Sequence, residues 1–143
     1  GGKKHIGKLV DSERVYNIKE SSELGTNTFE PISDYGGEIK FNALEAAEYS
    51  NGKIITAVTI LAHEIDHAFK NEILVAKSKK SGNLEKLVNF QYPIESKAKI
   101  KEETRAMKGL ERKIATILNQ HIRSSYDENP IDRFITSGPL KKL

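Results

Sequence analysis

No cysteine occurs among the 143 residues of this chain. Zinc–thiolate sites, disulfides and cysteine nucleophiles are thereby excluded, while either redox compartment stays open. Long hydrophobic runs are missing as well. The longest uncharged stretch, IITAVTILA, falls far short of the roughly 20 residues that a membrane-spanning helix needs. Excess charge is small: 23 Lys and Arg against 20 Asp and Glu leave +3. The lysines are scattered (KSKK, KAKIK, LKKL), and no aromatic stacking set accompanies them. That argues for a solvated surface and against a nucleic-acid groove. No secretory signal is visible, and the chain begins GGKK rather than with methionine, as expected of a fragment of a larger protein.

What is present is the composition of one globular domain spanning residues 1–143. Hydrophobic residues are 37% and charged residues 30%, enough for a modest core. Within residues 1–20, HIGKLV and RVYNI alternate partially and read as two short strands. Residues 21–37, rich in Ser, Thr, Asn, Gly and Pro, read as loop. GEIKFNA reads as a strand with Ile39 and Phe41 on one face, and ALEAAEYS as a short helix stopped by Asn51-Gly52. A main helix is expected from about Lys53 to Ala76, its apolar stripe formed by Val58, Leu61, Ala62, Ile65, Ala68 and Phe69. Residues 77–96 read as a polar insertion holding Gly82 and Pro93. A second long helix is expected from about Lys97 to Arg123, followed by an irregular tail, 127–143. The fold class is α+β, with strands first and two long helices after them.

The stretch TILAHEIDHAFKNEIL, residues 59–74, holds two of the four histidines. On a helix, H-E-x-x-H puts His63 and His67 on one face, so both can aim a ring nitrogen at a single ion. Glu64 stands beside the first and can act as general base toward a water and then pass the proton to a leaving amine. Two histidines four apart also arise by chance, but the helical context favours zinc. The elongated H-E-x-x-H-x-x-G-x-x-H class is excluded, because Lys70 and Ile73 stand where it needs Gly and His. Asp66 and Glu72 are expected behind the ligands or on the surface.

A third ligand must come from another element, and without cysteine it must be Glu, Asp or His. The second helix carries an apolar stripe of Ile100, Met107, Leu110, Ile114 and Ile117, and Glu103 interrupts it. A carboxylate on a buried face is costly unless paired, and a zinc ion opposite would pair it. Glu102 lies about 100° off the stripe and is the poorer candidate. The plainer alternative for Glu103 is an ion pair with Arg105 or a lysine. His121 is expected as a core histidine or one behind the ligands, and His5 as a surface residue. His63, His67 and Glu103 would leave a coordination position open, the layout of a catalytic zinc site. Farther on, Arg123 and Tyr126 could face a tetrahedral oxyanion. The plainer alternative there is a helix end with Arg near the dipole and a packing Tyr.

LAHEIDHAF, then EETRAMKGLE, then IRSSY together resemble the NleD-like bacterial effector and toxin metallopeptidases, over roughly residues 38–126. The matching positions are His63, Glu64, His67 and Ala68, then Glu103, Ala106 and Met107, then Arg123 and Tyr126. The Arg-x-x-Tyr spacing is also similar to that of the clostridial neurotoxin light chains. Two departures stand out: GLERK, where an Asn often follows the second Glu, and the insertion KSKKSGNLEKLVNFQYP. The resemblance implies a small zincin-like domain with GGEIKFN as the edge strand over the cleft and the ligands on two long helices. It implies one Zn²⁺, held by His63, His67 and Glu103, with Glu64 as base and Tyr126 and Arg123 serving the transition state. It implies a monomeric endopeptidase acting on a protein substrate, the C-terminal effector or toxin domain of a larger protein, secreted or injected into a target cell. A toxin would need a cognate immunity protein. The competing expectation is a protein-binding domain that keeps the scaffold without catalysis.

Overall fold

Two adjacent glycines set the layout of the first sheet. In the computed structural model, which describes residues 2–32, 36–81 and 97–137 (the side chains of 78, 79 and 81 excepted), they open strand β3 (Gly36–Phe41). This strand lies between β1 (Val15–Glu20), to which it is parallel, and β2 (Thr28–Pro31), to which it is antiparallel. A Cβ on Gly36 would overlap the Val15 backbone, and one on Gly37 would overlap the Phe29 ring and the Glu30 carbonyl. The glycines therefore admit a neighbour at close range on both sides. GGEIKFN is the middle strand of its sheet, which overturns the expectation that it forms the edge. The edge that packs over the main helix is β2. That strand falls inside the stretch expected as loop, because TFEP carries no alternation to announce it. Its Pro31, lacking an N–H, is tolerated at the end of an edge strand.

Residues 2–10 form a helix, α1 (Gly2–Val10), where HIGKLV was expected as a strand. Gly2, His5 and Leu9 recur at helical spacing on its less exposed side. Gly2 abuts Leu110, and the His5 ring packs on Phe69 with centroids 4.1 Å apart. A short apolar run leaves its period open, and packing selects the helical one. His5 is accordingly not a surface residue.

The second sheet has the order β5-β4-β6, all antiparallel: β5 (Ile54–Thr56), β4 (Glu45–Glu48) and β6 (Asp132–Ile135). β4 was expected as helix. Its Ala and Glu favour helices, but pairing on both edges outweighs propensity. Asn51-Gly52 then closes a hairpin, and residues 132–135 of the expected irregular tail are a strand. The buried Glu45 carboxylate on β4 accepts the Gly25 N–H at 2.6 Å and the Asn27 amide, which fixes the loop before β2.

β5 runs directly into α2 (Ala57–Ser81), which starts later and ends later than expected. Of the predicted stripe, Ala62 and Ala68 are buried and Leu61, Ile65 and Phe69 half-buried, but Val58 is 60% exposed, and Thr59, His63, Glu64, Asp66, His67, Asn71 and Glu72 are buried as well. The second helix is broken into α3 (Lys97–Ala106), a wide π-type turn (Met107–Glu111) and α4 (Arg112–Ile117), so it stops well before Arg123. Gly109 leaves helical geometry at φ −87°, ψ −118°. Of the predicted stripe only Met107 and Leu110, within the turn, are buried; Ile114 is half-buried, and Ile100 and Ile117 at the two ends are exposed. Residues 82–96, most of the expected insertion, lie outside the described residues. No described helix is long and apolar enough to cross a membrane.

A buried network joins β1 to α2. Glu72, expected behind the ligands or on the surface, lies inside and accepts Arg14 Nε at 2.8 Å, Arg14 Nη2 and the Tyr16 hydroxyl at 2.7 Å. Burial would raise the Glu72 pKa, but the bonds from Arg14 and Tyr16 outweigh it and hold the carboxyl below its usual range. Its stabilisation is complete above the unfolded value, about 4.3, and is lost as the pH falls through the lower folded one. Glu72→Gln should cost about 3 kcal/mol at pH 7 and much less at pH 3, read from urea unfolding. An equal cost at both would mean that the carboxylate charge does not hold β1 to α2.

Candidate metal centre

His63 and His67 project from one face of α2, as four-residue spacing on a helix requires. Both rings are buried, and each has its Nδ1 against a carboxylate. His63 Nδ1 lies 2.6 Å from Glu111 Oε2, and His67 Nδ1 lies 3.1 Å from Glu102 Oε1. A carboxylate only accepts, so each Nδ1 carries a proton, and with a metal ion bound each Nε2 would present its lone pair. The two Nε2 atoms lie 3.0 Å apart. Glu103 Oε2 joins them, 2.9 Å from His63 Nε2 and 3.3 Å from His67 Nε2. Three donor atoms so close repel unless a positive charge sits among them. A tetrahedral ion 2.0–2.1 Å from each would set donor separations of about 3.3 Å, close to those found. Among the described residues, His63, His67 and Glu103 form the group that could hold a metal ion.

Each imidazole is backed by a carboxylate that is itself held by an arginine fork. Arg123 donates to Glu111 through Nε at 2.8 Å and Nη2 at 2.6 Å. Arg105 donates to Glu102 through Nε at 2.8 Å and Nη2 at 2.7 Å, and its Nη1 reaches Asp66 Oδ1 at 2.8 Å. Burial opposes a charged His63, yet hydrogen bonds to Glu103 and Glu111 raise its pKa to about 10. Burial would also raise Glu102, but Arg105 and His67 pull it down to about 2. Burial resists the Glu103 charge too, and the two imidazoles nonetheless hold that carboxyl far below its usual range. Positive charge at the shared point, from protons on the imidazoles or from a metal ion, would balance these carboxylates.

The sequence-nominated residues do not all end up in their expected roles. Glu103 points at the ion position, and its alternative partner Arg105 is occupied with Glu102 and Asp66. Glu102, weighed as the poorer ligand, orients His67. Glu111 was noticed only within GLERK, and its part in holding His63 was missed. An ideal α-helix would turn residue 111 about 80° away from residue 103. The extra residue in the Met107–Glu111 turn brings it back, and nothing in the sequence but Gly109 hints at that turn. Arg123 reaches the site through Glu111. The Tyr126 hydroxyl lies in the field of Glu103 and Arg123, with burial and the Glu103 charge raising its pKa. His121 stands away from the donors as a core histidine, stacked on Tyr49 at 4.0 Å and hydrogen-bonded by its ring nitrogens to Asn51 and Glu128.

Glu64 lies buried beside the donors. Burial raises its pKa, while His63, His67 and a backbone hydrogen bond from Phe29 oppose the rise. A groove of about 520 Å³ runs under β2, lined by Phe29, Pro31, Glu64, His67, Lys99 and Glu102. No protein-family model, curated protein or solved structure matches the chain.

Two substitutions separate donor from support. Glu103→Ala removes one of the three groups that could hold a metal ion, and after loading with zinc it should retain far less metal than the parent by elemental analysis. Glu111→Gln keeps all three donors but weakens the hold on His63, and should lower zinc affinity about tenfold in chelator competition. Unchanged zinc binding in both variants would place the ion elsewhere.

Proposed function

We propose that this domain is a zinc-dependent endopeptidase with a zincin-like arrangement. What carries the reading is the convergence of His63 Nε2, His67 Nε2 and Glu103 Oε2 on one point, with Glu64 buried beside it. The donor set of two imidazoles and one carboxylate suits zinc, and three protein ligands leave a position for substrate or water. One zinc ion, when bound, would supply the Lewis acid that polarises the scissile carbonyl and makes water a competent nucleophile.

The chain's own residues supply the rest. Glu64, its pKa raised by burial, takes the proton of the attacking water and returns it to the leaving amine. Tyr126 turns its hydroxyl toward the oxygen that gains charge in the tetrahedral state. Arg123 already spends Nε and Nη2 on Glu111, so its part is to hold that carboxylate against His63. The exposed main chain of β2 gives an extended substrate an edge to lie along. A secreted effector or toxin role, with an immunity protein as partner, rests on the motif resemblance alone.

Glu64→Gln should keep one zinc per chain and an unchanged circular dichroism spectrum. It should lower the cleavage rate of a general protein substrate at least about 10³-fold, and chelator should do the same to the parent protein. Full activity of Glu64→Gln would sink the mechanism. A zinc-loaded parent that cleaves nothing would favour the non-catalytic binding domain.

A further inference from the structure

Arg133 has no part in the chemistry above, yet β6 sets it at the metal donors. It stands opposite Ala47 in the β4–β6 ladder, and Ala47 stands opposite Ile55 in the β4–β5 ladder. The small alanine leaves a hollow between its larger neighbours. That hollow is part of a pocket of about 140 Å³ that shares Asn27, Glu64 and Glu103 with the β2 groove, and its walls include Ala47, Tyr49, Ile55, Ile60 and Arg133. His63, Glu64 and Glu103 line it too, so it opens directly onto the reacting position. A side chain next to the scissile bond would enter it.

The two arginines of this pocket differ in what they are doing. Arg123 is bound twice by Glu111. Among the described residues, the charged partner of Arg133 is Glu45, at 3.4 Å, and the Arg133 side chain is 40% exposed. Glu45 also accepts the Gly25 N–H and the Asn27 amide, so the long 3.4 Å bond from Arg133 Nη1 is one of three to that carboxylate and leaves the other guanidinium donors of Arg133 for a second acceptor. The Arg133 stem passes close to Gly25, and its guanidinium brings a planar fork of donors to a pocket whose apolar wall is Ala47, Ile55 and Ile60 and whose other lining is mainly polar. At the inner end, Glu111 is matched by Arg123 and Glu103 faces the ion position. Glu64, Glu103 and Glu111 all line that end, so an incoming carboxylate is repelled there and driven toward Arg133.

We propose, on the reading of this site as a peptidase, that Arg133 makes the pocket a subsite for an aspartate or glutamate flanking the scissile bond. The methylenes would lie on Ala47, Ile55 and Ile60, and the carboxylate would meet the Arg133 fork. The zinc-loaded protein should be given a peptide library from a digested proteome, with new termini mapped by mass spectrometry. Acidic residues should be enriched about fivefold at one position flanking the cut, and Arg133→Glu should exchange that preference for Lys and Arg. Cleavage without acidic enrichment, or with a preference that Arg133→Glu leaves unaltered, overturns the subsite and leaves the peptidase reading standing. A second arm needs no turnover. Capped tetrapeptides differing only in a central Glu or Gln are titrated into zinc-loaded Glu64→Gln by calorimetry. The acid should bind about fivefold tighter, and adding Arg133→Gln should erase the difference. Equal binding overturns the subsite. An acid preference here, with no peptide cleaved by the parent protein, would retire the peptidase reading and keep the subsite.

Discussion

The carboxylate of Asp66 decides where the second helix can stand. It is 2% exposed and sits between the two histidines of the H-E-x-x-H turn, so α2 carries it rigidly. It accepts the Leu110 N–H at 2.8 Å and Arg105 Nη1 at 2.8 Å, and His5 Nε2 lies 3.4 Å away. An ionised group that deep costs several kcal/mol unless it is paired. The pairing demand therefore draws the break at Gly109 onto α2, where a Cβ on residue 109 would overlap Asp66 Oδ2. Once Leu110 and Arg105 are pinned, Glu102 and Glu103 on one side of the break and Glu111 on the other have their places set. The motif thus brings two donors and also fixes the helix that brings the third.

The two imidazoles are treated alike. His63 has Glu111 and Arg123 behind it, and His67 has Glu102 and Arg105. Each arginine fork holds a carboxylate, and each carboxylate holds a ring by its Nδ1–H, which leaves Nε2 to present its lone pair to a metal ion when one is bound. The pair of forks has an electrostatic purpose as well. Glu64, Glu102, Glu103, Glu111 and Asp66 crowd one end of α2, and two arginines do not balance them. The remainder is a deficit of positive charge at the point where three donors meet. Protons on the imidazoles relieve it in one way and a divalent cation in another, so metal uptake must displace protons and should strengthen as the pH rises.

How much of this was legible in the sequence follows from which signals are local. Two histidines at four-residue spacing declare a shared face by themselves, and Glu103 was visible as a charge out of place in an apolar stripe. Glu111 was not, because its position depends on a wide turn that changes the helical phase, and Ala-Met-Lys-Gly-Leu-Glu reads as ordinary helix. Strand β4 was misread because Glu45-Ala-Ala-Glu has helix propensity, and only its pairing partners β5 and β6, one of them far along the chain, overrule it. β2 was hidden for the opposite reason. Its four residues carry no pattern, and it exists as a strand because Gly37 lets it lie close to β3.

The stripe predicted on α2 also misjudged what this protein buries. Of its largest fully buried side chains among the described residues, Glu45, Thr59 and Asp66 are polar and Val75 alone is not. An apolar cluster of Ala47, Tyr49 and Ile55, with Ile60 against them, lies beside the histidines. Among the described residues, satisfied polar networks work beside the apolar core to hold the elements in register, and those networks are the ones that orient His63, His67 and Glu103. Site geometry and fold stability are then one set of interactions rather than two. An ion held by His63, His67 and Glu103 would bind only the folded chain, so it would add to stability by mass action and would sit among the carboxylates that the fold has gathered.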